Sequence, residues 1–587
     1  NLLAARVGPV ALRERGALTV TQLRQLGFDS LDLCDADVCH EAAIAYGTAG
    51  FRARAETLES TFYRMGMLAV LRSRARGGLA SGLMVTASHN PEPDNGIKLV
   101  DTDGGMLHQS WEGFATRLAN ADEGELPAVL VAVAAETATA EASGGVVVIG
   151  RDTRPHSEGL ASIALEGVAA VGGIGVDCGV LTTPQLHHLV RMRNGEAGAG
   201  PHVGPEGGAA WASEAGYYAM VGEAFASLVG AAGAGAAAAA RGPLWVDAAC
   251  GVGAPKIDAL VPSLGGHLEL TLANKVGDGP LNDGCGAEWV QKGRTPPRGA
   301  ESAAALGNCA RACSLDGDAD RIVFHYYDSD SKWRLLDGDK IAALCVSWVS
   351  ELLGDLKLAT PLTMAAVQTA YANGAATAYM RALPGVTVPL AKTGVKHLHH
   401  IAVGYDISVY FEANGHGTVL FSDKATSAIL AAQAAAAAAA DAKAERAAER
   451  LLLTRQLVNQ AVGDAISDLL LVEAVLAVRG WSVAEWDGMY ADLPSRQSKL
   501  PVADRGALTT TDDETRLVAP AALQSALDDL MAAVPQGRCF VRPSGTEDVV
   551  RVYAEAATQA DADALALKTA QAVHELAGGV GEKPTAV

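Results

Sequence analysis

Charge is scarce in this 587-residue chain: charged residues make up 19% against 49% apolar. Much of the apolar share is alanine, with 64 glycines beside it, so ordinary cores are expected. A chain this long should divide into several domains, each with its own core. Basic residues are the scarcer sign, 46 against 67 acidic, giving a net charge of −21. That balance argues against nucleic acid or an acidic membrane surface as a non-specific partner, and any basic pocket must be local.

Paired cysteines are also missing. The nine cysteines form an odd set without a Cys-x-x-Cys pair, which indicates neither a disulfide framework nor a zinc ribbon. Cys309 and Cys313, four apart, read as thiols on one helix face, and a reducing, cytoplasmic setting is the simplest home. No run is apolar enough to span a bilayer; the nearest, Ala224 to Ala240, is mostly Ala and Gly. Arg6, Arg13 and Arg15 come without an apolar h-region, so no secretory signal is expected. The chain starts at Asn1 rather than Met, which leaves a trimmed organellar transit peptide as an alternative.

Strand-like segments near Met84, Val147, Leu244, Ile322 and Val409 alternate with helical stretches, the pattern of an α/β protein. Gly230 to Gly242 reads as a surface insertion. Ala431 to Arg450, rich in Ala, Lys, Glu and Arg, is predicted to be one helix.

Four segments carry chemistry. In LMVTASHNPEPDNGIKLVD, from Leu83, an apolar strand runs into Ser88, a candidate phosphoryl carrier at a strand's carboxyl end. Pro91 and an Asn95-Gly96 turn should hold that loop open. Taken alone, the segment is equally an ordinary Ser-Asn-Pro surface turn. In Leu315 to Arg321, Asp316, Asp318 and Asp320 alternate, so an extended loop would project them to one side as hard oxygen ligands for Mg²⁺ or Ca²⁺. A calcium hand fails, because its sixth and twelfth positions would be Arg321 and Tyr327. A solvated acidic turn is the other reading, but the strand-like Ile322 to Tyr326 that follows favours a site.

DISVYFEANGHGT, from Asp406, brings Glu412, Asn414 and His416 together two apart, a mixed donor and acceptor set that suits a polyhydroxyl ligand, although taken alone the stretch reads first as a hairpin turn. FVRPSGTEDVVRVY, from Phe540, places Arg542, Ser544, Gly545 and Thr546 in a tight loop. Backbone N–H groups, hydroxyls and a guanidinium fork there could cradle a phosphate, or the segment is a hairpin with an incidental arginine. The cluster His397, His399, His400 lacks zinc spacing and a carboxylate partner, and reads as a loop or helix start beside Lys396.

Together and in this order, the four segments resemble the α-D-phosphohexomutase superfamily, and within it the branch that handles acetylamino-sugar phosphates. The resemblance extends to Tyr46 to Arg52, Val148 to Pro155, Leu181 to His187, Lys392 to His400, and the stretches from Val462 and Ala491. Only the first forty or so residues and the Ala/Gly-rich insertions fall outside it. It implies an α/β fold with four domains around a central cleft: three related α/β domains with mixed sheets (1–195, 196–335 and 336–470) and a smaller C-terminal α+β domain (471–587).

The resemblance also implies roles. Ser88 would be phosphorylated and, with Asp316, Asp318 and Asp320, bind Mg²⁺. Arg52, His89, Lys98 and Arg321 would surround it, with Lys98 and His416 as acid/base candidates. Glu412, Asn414 and Lys396 would bind sugar, and Arg542, Ser544, Gly545, Thr546 and Arg551 the phosphate that is not transferred. The implied activity is reversible conversion of N-acetylglucosamine 6-phosphate to the 1-phosphate through a 1,6-bisphosphate, feeding UDP-N-acetylglucosamine synthesis. A hexose 1,6-bisphosphate would activate Ser88. A phosphosugar is then the only partner expected, with no nucleic acid, membrane or obligate protein partner.

The rival readings are a metal-dependent phosphatase or phosphotransferase and a non-catalytic sugar-phosphate binder. Two departures from the pattern stand out: Cys250 replaces the usual Asn in Val246 to Gly251, taken as a structural change, and His156 sits where Ser is commoner. Asn414, where plain hexose mutases tend to carry Ser, instead looks like the acetylamino-sugar branch.

Overall fold

The run Ser81–Val85 carries no charge because both its faces are buried. The computed structural model describes residues 43–47, 50–199, 211–231, 242–304, 307, 309–544 and 549–586. The chain forms two compact units, Asn1–Leu335 with Leu452–Ser482, and Leu336–Leu451 with Val483–Val587.

The first unit holds two five-stranded mixed sheets. One is ordered β1-β3-β2-β4-β5, from Phe51–Arg54 (β1), Ser81–Val85 (β2), Asp94–Val100 (β3), Val146–Arg151 (β4) and Ile174–Val180 (β5). β2, β4 and β5 are parallel, while β3 runs antiparallel to β2 and β1. Leu83 and Val85 enter a core with Ile97, Ile149 and Phe62, while Met84 between them packs on Val148, Leu186 and Val190. This alternation fixes the strand's register, and so fixes where its end delivers Ser88. Two helices over one face, Glu59–Ala75 and Ser157–Ala170, touch backbone to backbone: a Cβ on Gly167 would lie 1.9 Å from the Tyr63 carbonyl oxygen.

The other sheet is ordered β10-β9-β8-β6-β7, from Leu244–Asp247 (β6), Leu270–Ala273 (β7), Ala312–Leu315 (β8), Ile322–Tyr327 (β9) and Trp333–Leu336 (β10). β6 is parallel to β7 and β8, and β9 turns back antiparallel on β8. The aspartate segment is the β8–β9 connection. Helix Ala465–Arg479 belongs to the same unit and is tied to it by the buried Arg311–Glu473 ion pair, 2.9 Å.

In the second unit a mixed sheet is ordered β12-β11-β14-β15, from Met364–Thr369 (β11), Val386–Thr387 (β12), Ile407–Phe411 (β14) and Gly417–Phe421 (β15), with Leu390–Ala391 (β13) also on β11. A three-stranded antiparallel sheet follows, ordered β16-β20-β19, from Ser495–Pro501 (β16), Arg538–Pro543 (β19) and Val549–Glu555 (β20). Helices Ala521–Ala532 and Gln559–Leu576 cover it through Leu527, Leu565 and Val573. Thr509–Thr510 (β17) and Leu517–Ala519 (β18) form a separate ribbon. Three mixed α/β sheets and one antiparallel α+β layer are the fold class the sequence implied.

Four local expectations change. The Ala-rich run forms two helices, Asp423–Ala438 and Ala442–Leu457, because Ala440 turns left-handed (φ 55) and Asp441 N–H bonds back to the Ala436 carbonyl at 2.9 Å. Asn95-Gly96 is no turn but lies inside β3; Gly96 is required there because a Cβ would meet the Phe51 carbonyl at 2.4 Å. Cys313 lies in β8 and Cys309 in a turn before it, so they share no helix face. The aspartates converge through a tight turn, Ala319 at φ 56, rather than along an extended loop. The expected insertion at Gly230 to Gly242 lies largely outside the described residues. Among the described residues no helix is long and apolar enough to cross a membrane.

Candidate active site

Ser88 lies just past the end of β2, fully buried and left-handed at φ 54, a conformation a non-glycine residue holds only when its surroundings impose it. Here they do. Its N–H donates to Thr86 Oγ1 (2.9 Å), and its carbonyl accepts from Asn282 Nδ2 (2.9 Å) and Arg154 Nη2 (3.2 Å). Its hydroxyl donates to Asp316 Oδ2 at 2.8 Å.

The three aspartates each offer an oxygen, all within 4.8 Å of one another and all buried. Asp316 Oδ1 closes the turn by accepting from the N–H groups of Asp320 (3.1 Å) and Arg321 (3.2 Å). Gly317 has no alternative, since a Cβ would lie 2.7 Å from the Ser88 carbonyl. Behind it, Gly251 approaches so closely that its Cβ would sit 2.7 Å from Gly317 Cα. Cys250 occupies the left-handed position of that turn (φ 55), where its sulfur receives Arg298 Nη2 at 3.2 Å.

Lys98 Nζ donates to Asp318 Oδ2 (3.0 Å) and Asp320 Oδ2 (3.1 Å), and Thr183 Oγ1 donates to Asp318 Oδ2 (2.6 Å). Burial pulls the Lys98 pKa down, but Asp318 and Asp320 outweigh it and the net shift is upward. Burial, then Asp320 and Asp318, push the Asp316 carboxyl well above its ordinary range. Against the three crowded carboxylates stand the Lys98 ammonium, across two of them, and Arg321, whose Nε is 3.9 Å from Asp316 Oδ2 and 3.7 Å from Asp320 Oδ1 and whose guanidinium is shared with Glu288. Asp318 Oδ1 is buried with no hydrogen-bond partner. An all-oxygen set with an unsatisfied buried oxygen fits Mg²⁺.

Arg321 donates from Nη1 to Glu288 Oε2 at 3.0 Å, and Lys292 pairs with the same carboxylate. His89 Nε2 stands 3.9 Å from Glu288 Oε1. That is a contact rather than an ion pair, because burial, then Arg321 and Arg52, push the imidazole down to about 2. Arg52 reaches Asn90 Oδ1 from Nη1 at 3.3 Å. Ser88, the three aspartates, Lys98, His89, Arg321 and Arg52 thus share one neighbourhood. Sequence reasoning missed Glu288 and Thr183; only the Thr-Thr-Pro run after β5 gave any signal for the second.

In the second unit Glu412, Asn414 and His416 occupy the β14–β15 hairpin. Asn414 Nδ2 donates to Glu412 Oε2 (3.3 Å), its Oδ1 accepts from the His416 N–H (3.0 Å), and Gly415 takes the left-handed position (φ 84). Glu412 Oε1 accepts from the Gly394 N–H (3.1 Å), which places Lys396 on the adjoining helix Val395–Ala402. The histidine cluster lies on that helix, as expected of a helix start. On β19, Arg542 Nε pairs with Glu514 Oε1 at 2.8 Å, and Arg551 faces Arg542 across the ladder. Ser544 is buried, with its N–H on the Val549 carbonyl (2.9 Å). Gly545 and Thr546 lie outside the described residues. Glu514, which no motif announced, also accepts from Thr393 N–H (2.9 Å) and Oγ1 (2.6 Å).

Mixed α/β sheets and an oxygen-rich aspartate loop beside a serine at a strand end fit an enzyme of the phosphoglucomutase/phosphomannomutase class. Its family models match here: the alpha/beta/alpha domain I over residues 61–125 and 117–200, and the C-terminal domain over 522–572. Residues 337–481 match "Phosphoacetylglucosamine mutase AMG1, domain III". Pig phosphoacetylglucosamine mutase is 48% identical over 541 residues, 92% of this chain and 96% of the relative. A crystal structure of Aspergillus fumigatus N-acetylphosphoglucosamine mutase with GlcNAc-6P and magnesium superposes with a TM-score of 0.84 at 38% identity, covering 96% of this chain and 99% of that one. A variant of the same fungal enzyme, in complex with glucose 1,6-bisphosphate, gives a TM-score of 0.81 at 38% identity, covering 96% and 100%. The chain belongs to the phosphoacetylglucosamine mutase family.

Proposed function

We propose that this enzyme interconverts N-acetylglucosamine 6-phosphate and N-acetylglucosamine 1-phosphate, carrying the transferred phosphoryl group on Ser88. The observation that carries the residue assignment is the 2.8 Å hydrogen bond from the buried Ser88 hydroxyl to Asp316, inside a cluster of carboxylates and cations. In the forward direction phosphoserine gives its group to the free 1-hydroxyl. The P–O bond to Ser88 breaks, a P–O bond to the sugar forms, and the hydroxyl proton leaves to a base. The bisphosphate turns end for end, and the Ser88 hydroxyl, losing its proton to a base, takes the 6-phosphoryl group: the P–O bond to the sugar 6-oxygen breaks, that oxygen is protonated by an acid, and a P–O bond to Ser88 forms, which leaves the 1-phosphate and regenerates the phosphoenzyme.

Asp316, Asp318 and Asp320, with a phosphoserine oxygen, would hold Mg²⁺, which supplies charge neutralisation at the phosphoryl oxygens. Arg52, Arg321 and the neutral His89 offer donors to those oxygens. Lys98 and His416 are the acid/base candidates; Lys98 is held as an ammonium by Asp318 and Asp320 and so enters as a proton donor. Glu412, Asn414 and Lys396 bind the sugar, and Arg542, Ser544, Gly545, Thr546 and Arg551 hold the other phosphate. The product feeds UDP-N-acetylglucosamine synthesis, with the cytoplasm as the place of action and the phosphosugar as the only partner.

Two measurements test this. Intact mass with peptide mapping should find phosphate on Ser88 after incubation with glucose 1,6-bisphosphate. An assay that follows isomerisation and free phosphate together should show turnover without phosphate release. Active protein with no phosphate on Ser88 would refute the mechanism, and stoichiometric phosphate release would favour the phosphatase.

A further inference from the structure

A carboxylate beside a phosphate-gripping arginine is electrostatically wrong unless it has a task, and Glu514 sits 2.8 Å from Arg542. Its two oxygens are divided between two loops. Oε1 stands 2.8 Å from Arg542 Nε as an ion pair, without a hydrogen bond from that N–H, while Oε2 accepts both the N–H and the hydroxyl of Thr393, just before the helix Val395–Ala402. The loop that delivers it is built for the purpose. Asp513 Oδ1 accepts from Thr511 Oγ1 (2.6 Å), Thr515 Oγ1 (2.8 Å) and Thr515 N–H (3.2 Å), and Glu514 itself is held left-handed at φ 58. Arg516 then anchors the loop to Asp528 on helix Ala521–Ala532 (3.0 and 2.7 Å).

We propose that Glu514 is a positioning residue: its carboxylate, moored on Thr393 and ion-paired 2.8 Å from Arg542 Nε, restrains the guanidinium so that its Nη edge is presented to the substrate's non-transferred phosphate. A planar guanidinium offers a paired edge to an oxyanion only if its rotation is restrained, and a moored carboxylate ion-paired close to Nε restrains it. The inference rests on the reading of Arg542 as a phosphate ligand. The opposite role for the same contact is a competing anion, with Glu514 filling the phosphate's seat until substrate displaces it.

The test uses the full-length enzyme, steady-state kinetics with N-acetylglucosamine 6-phosphate, and calorimetric titration with inorganic phosphate. Glu514→Ala should raise KM and the Kd for phosphate roughly tenfold to a hundredfold, the loss usual for removing a partner that orients a binding group, with kcat within about threefold. Glu514→Gln keeps an amide oxygen for Thr393 but turns an NH₂, which cannot accept, toward Arg542. It should therefore retain the melting temperature of the wild type and still lose phosphate affinity. Added to Arg542→Ala, Glu514→Ala should cost little more, because both remove one function. Tighter phosphate binding in Glu514→Ala would establish the competing anion instead. Wild-type affinity in Glu514→Gln would reduce Glu514 to a loop anchor and overturn the proposal. Unchanged phosphate affinity in Arg542→Ala would remove the phosphate-ligand reading itself, and this inference with it.

Discussion

At the scale of single residues, the chain concentrates strain and charge at the site proposed for its chemistry. Ser88 is buried, left-handed and held by its own carbonyl, so its hydroxyl has one direction to point. Ser88→Ala should therefore abolish turnover and phosphate incorporation while leaving inorganic phosphate binding within about threefold, as calorimetry can check; wild-type activity would eliminate the phosphoenzyme. Asn414 makes the second case, because its amide both donates to Glu412 and accepts from the His416 backbone. Serine cannot span both contacts, so Asn414→Ser should lower the preference for N-acetylglucosamine phosphate over glucose phosphate by roughly tenfold to a hundredfold, or about 1 to 3 kcal/mol. An unchanged ratio of kcat/KM values would mean that another loop reads the acetamido group. Asp316, Asp318 and Asp320 were legible because three alternating carboxylates are followed directly by the strand-like Ile322 to Tyr326, which puts them at a strand edge. Glu288, Thr183 and Glu514 were not, since each is an ordinary polar residue whose partner lies far away in sequence.

At the scale of elements, strands were easier to read than their ends. β2, β4, β6, β9 and β14 announce themselves as apolar runs, whereas the break at Ala440 puts alanine where glycine is usual, so composition gave no stop. Also invisible was the brace behind the metal loop. Asp464 caps helix Ala465–Arg479 by accepting from Ile466 and Ser467 N–H, accepts the Tyr217 hydroxyl (2.9 Å), and the helix's first N–H holds the Ala319 carbonyl at 3.1 Å. Burial pushes the Asp464 carboxyl up from 3.8 to about 6, although its Tyr217, Ser467 and Asn459 hydrogen bonds oppose the shift. A folded pKa above the unfolded one means stability present below about pH 4 and lost as pH rises through about 6. Asp464→Asn escapes that loss. Its stability relative to wild type should improve by up to about 3 kcal/mol between pH 4 and pH 7. Urea unfolding at both pH values measures it, and a pH-independent difference would show that the carboxylate ionises without penalty.

At the scale of the whole molecule, a body of net charge −21 must attract an anionic sugar phosphate, and it can do so only through local cations. In the proposed site Arg52, Lys98 and Arg321 would supply them in the first unit, and Lys396, Arg542 and Arg551 in the second. Composition revealed the deficit, but only the fold reveals that Lys98 spends its charge on Asp318 and Asp320. On the proposed mechanism this pairing would make metal binding and phosphorylation interdependent. Three carboxylates leave an octahedral cation's other positions to water, and they are already partly neutralised by Lys98. Phosphate on Ser88 adds nearly two negative charges, with its oxygens beside Asp316. The phosphoenzyme should accordingly bind Mg²⁺ at least about tenfold more tightly than the dephosphorylated protein, the effect of one extra charge-assisted ligand of about 1.4 kcal/mol. Binding to the native state alone stabilises by RT ln(1 + [L]/Kd), about 2.7 kcal/mol at a hundredfold excess over Kd. A fixed Mg²⁺ concentration should then raise the melting temperature of the phosphorylated form by more than that of the dephosphorylated form. Calorimetric titration of both forms gives the affinities directly, and equal values would uncouple the serine from the metal.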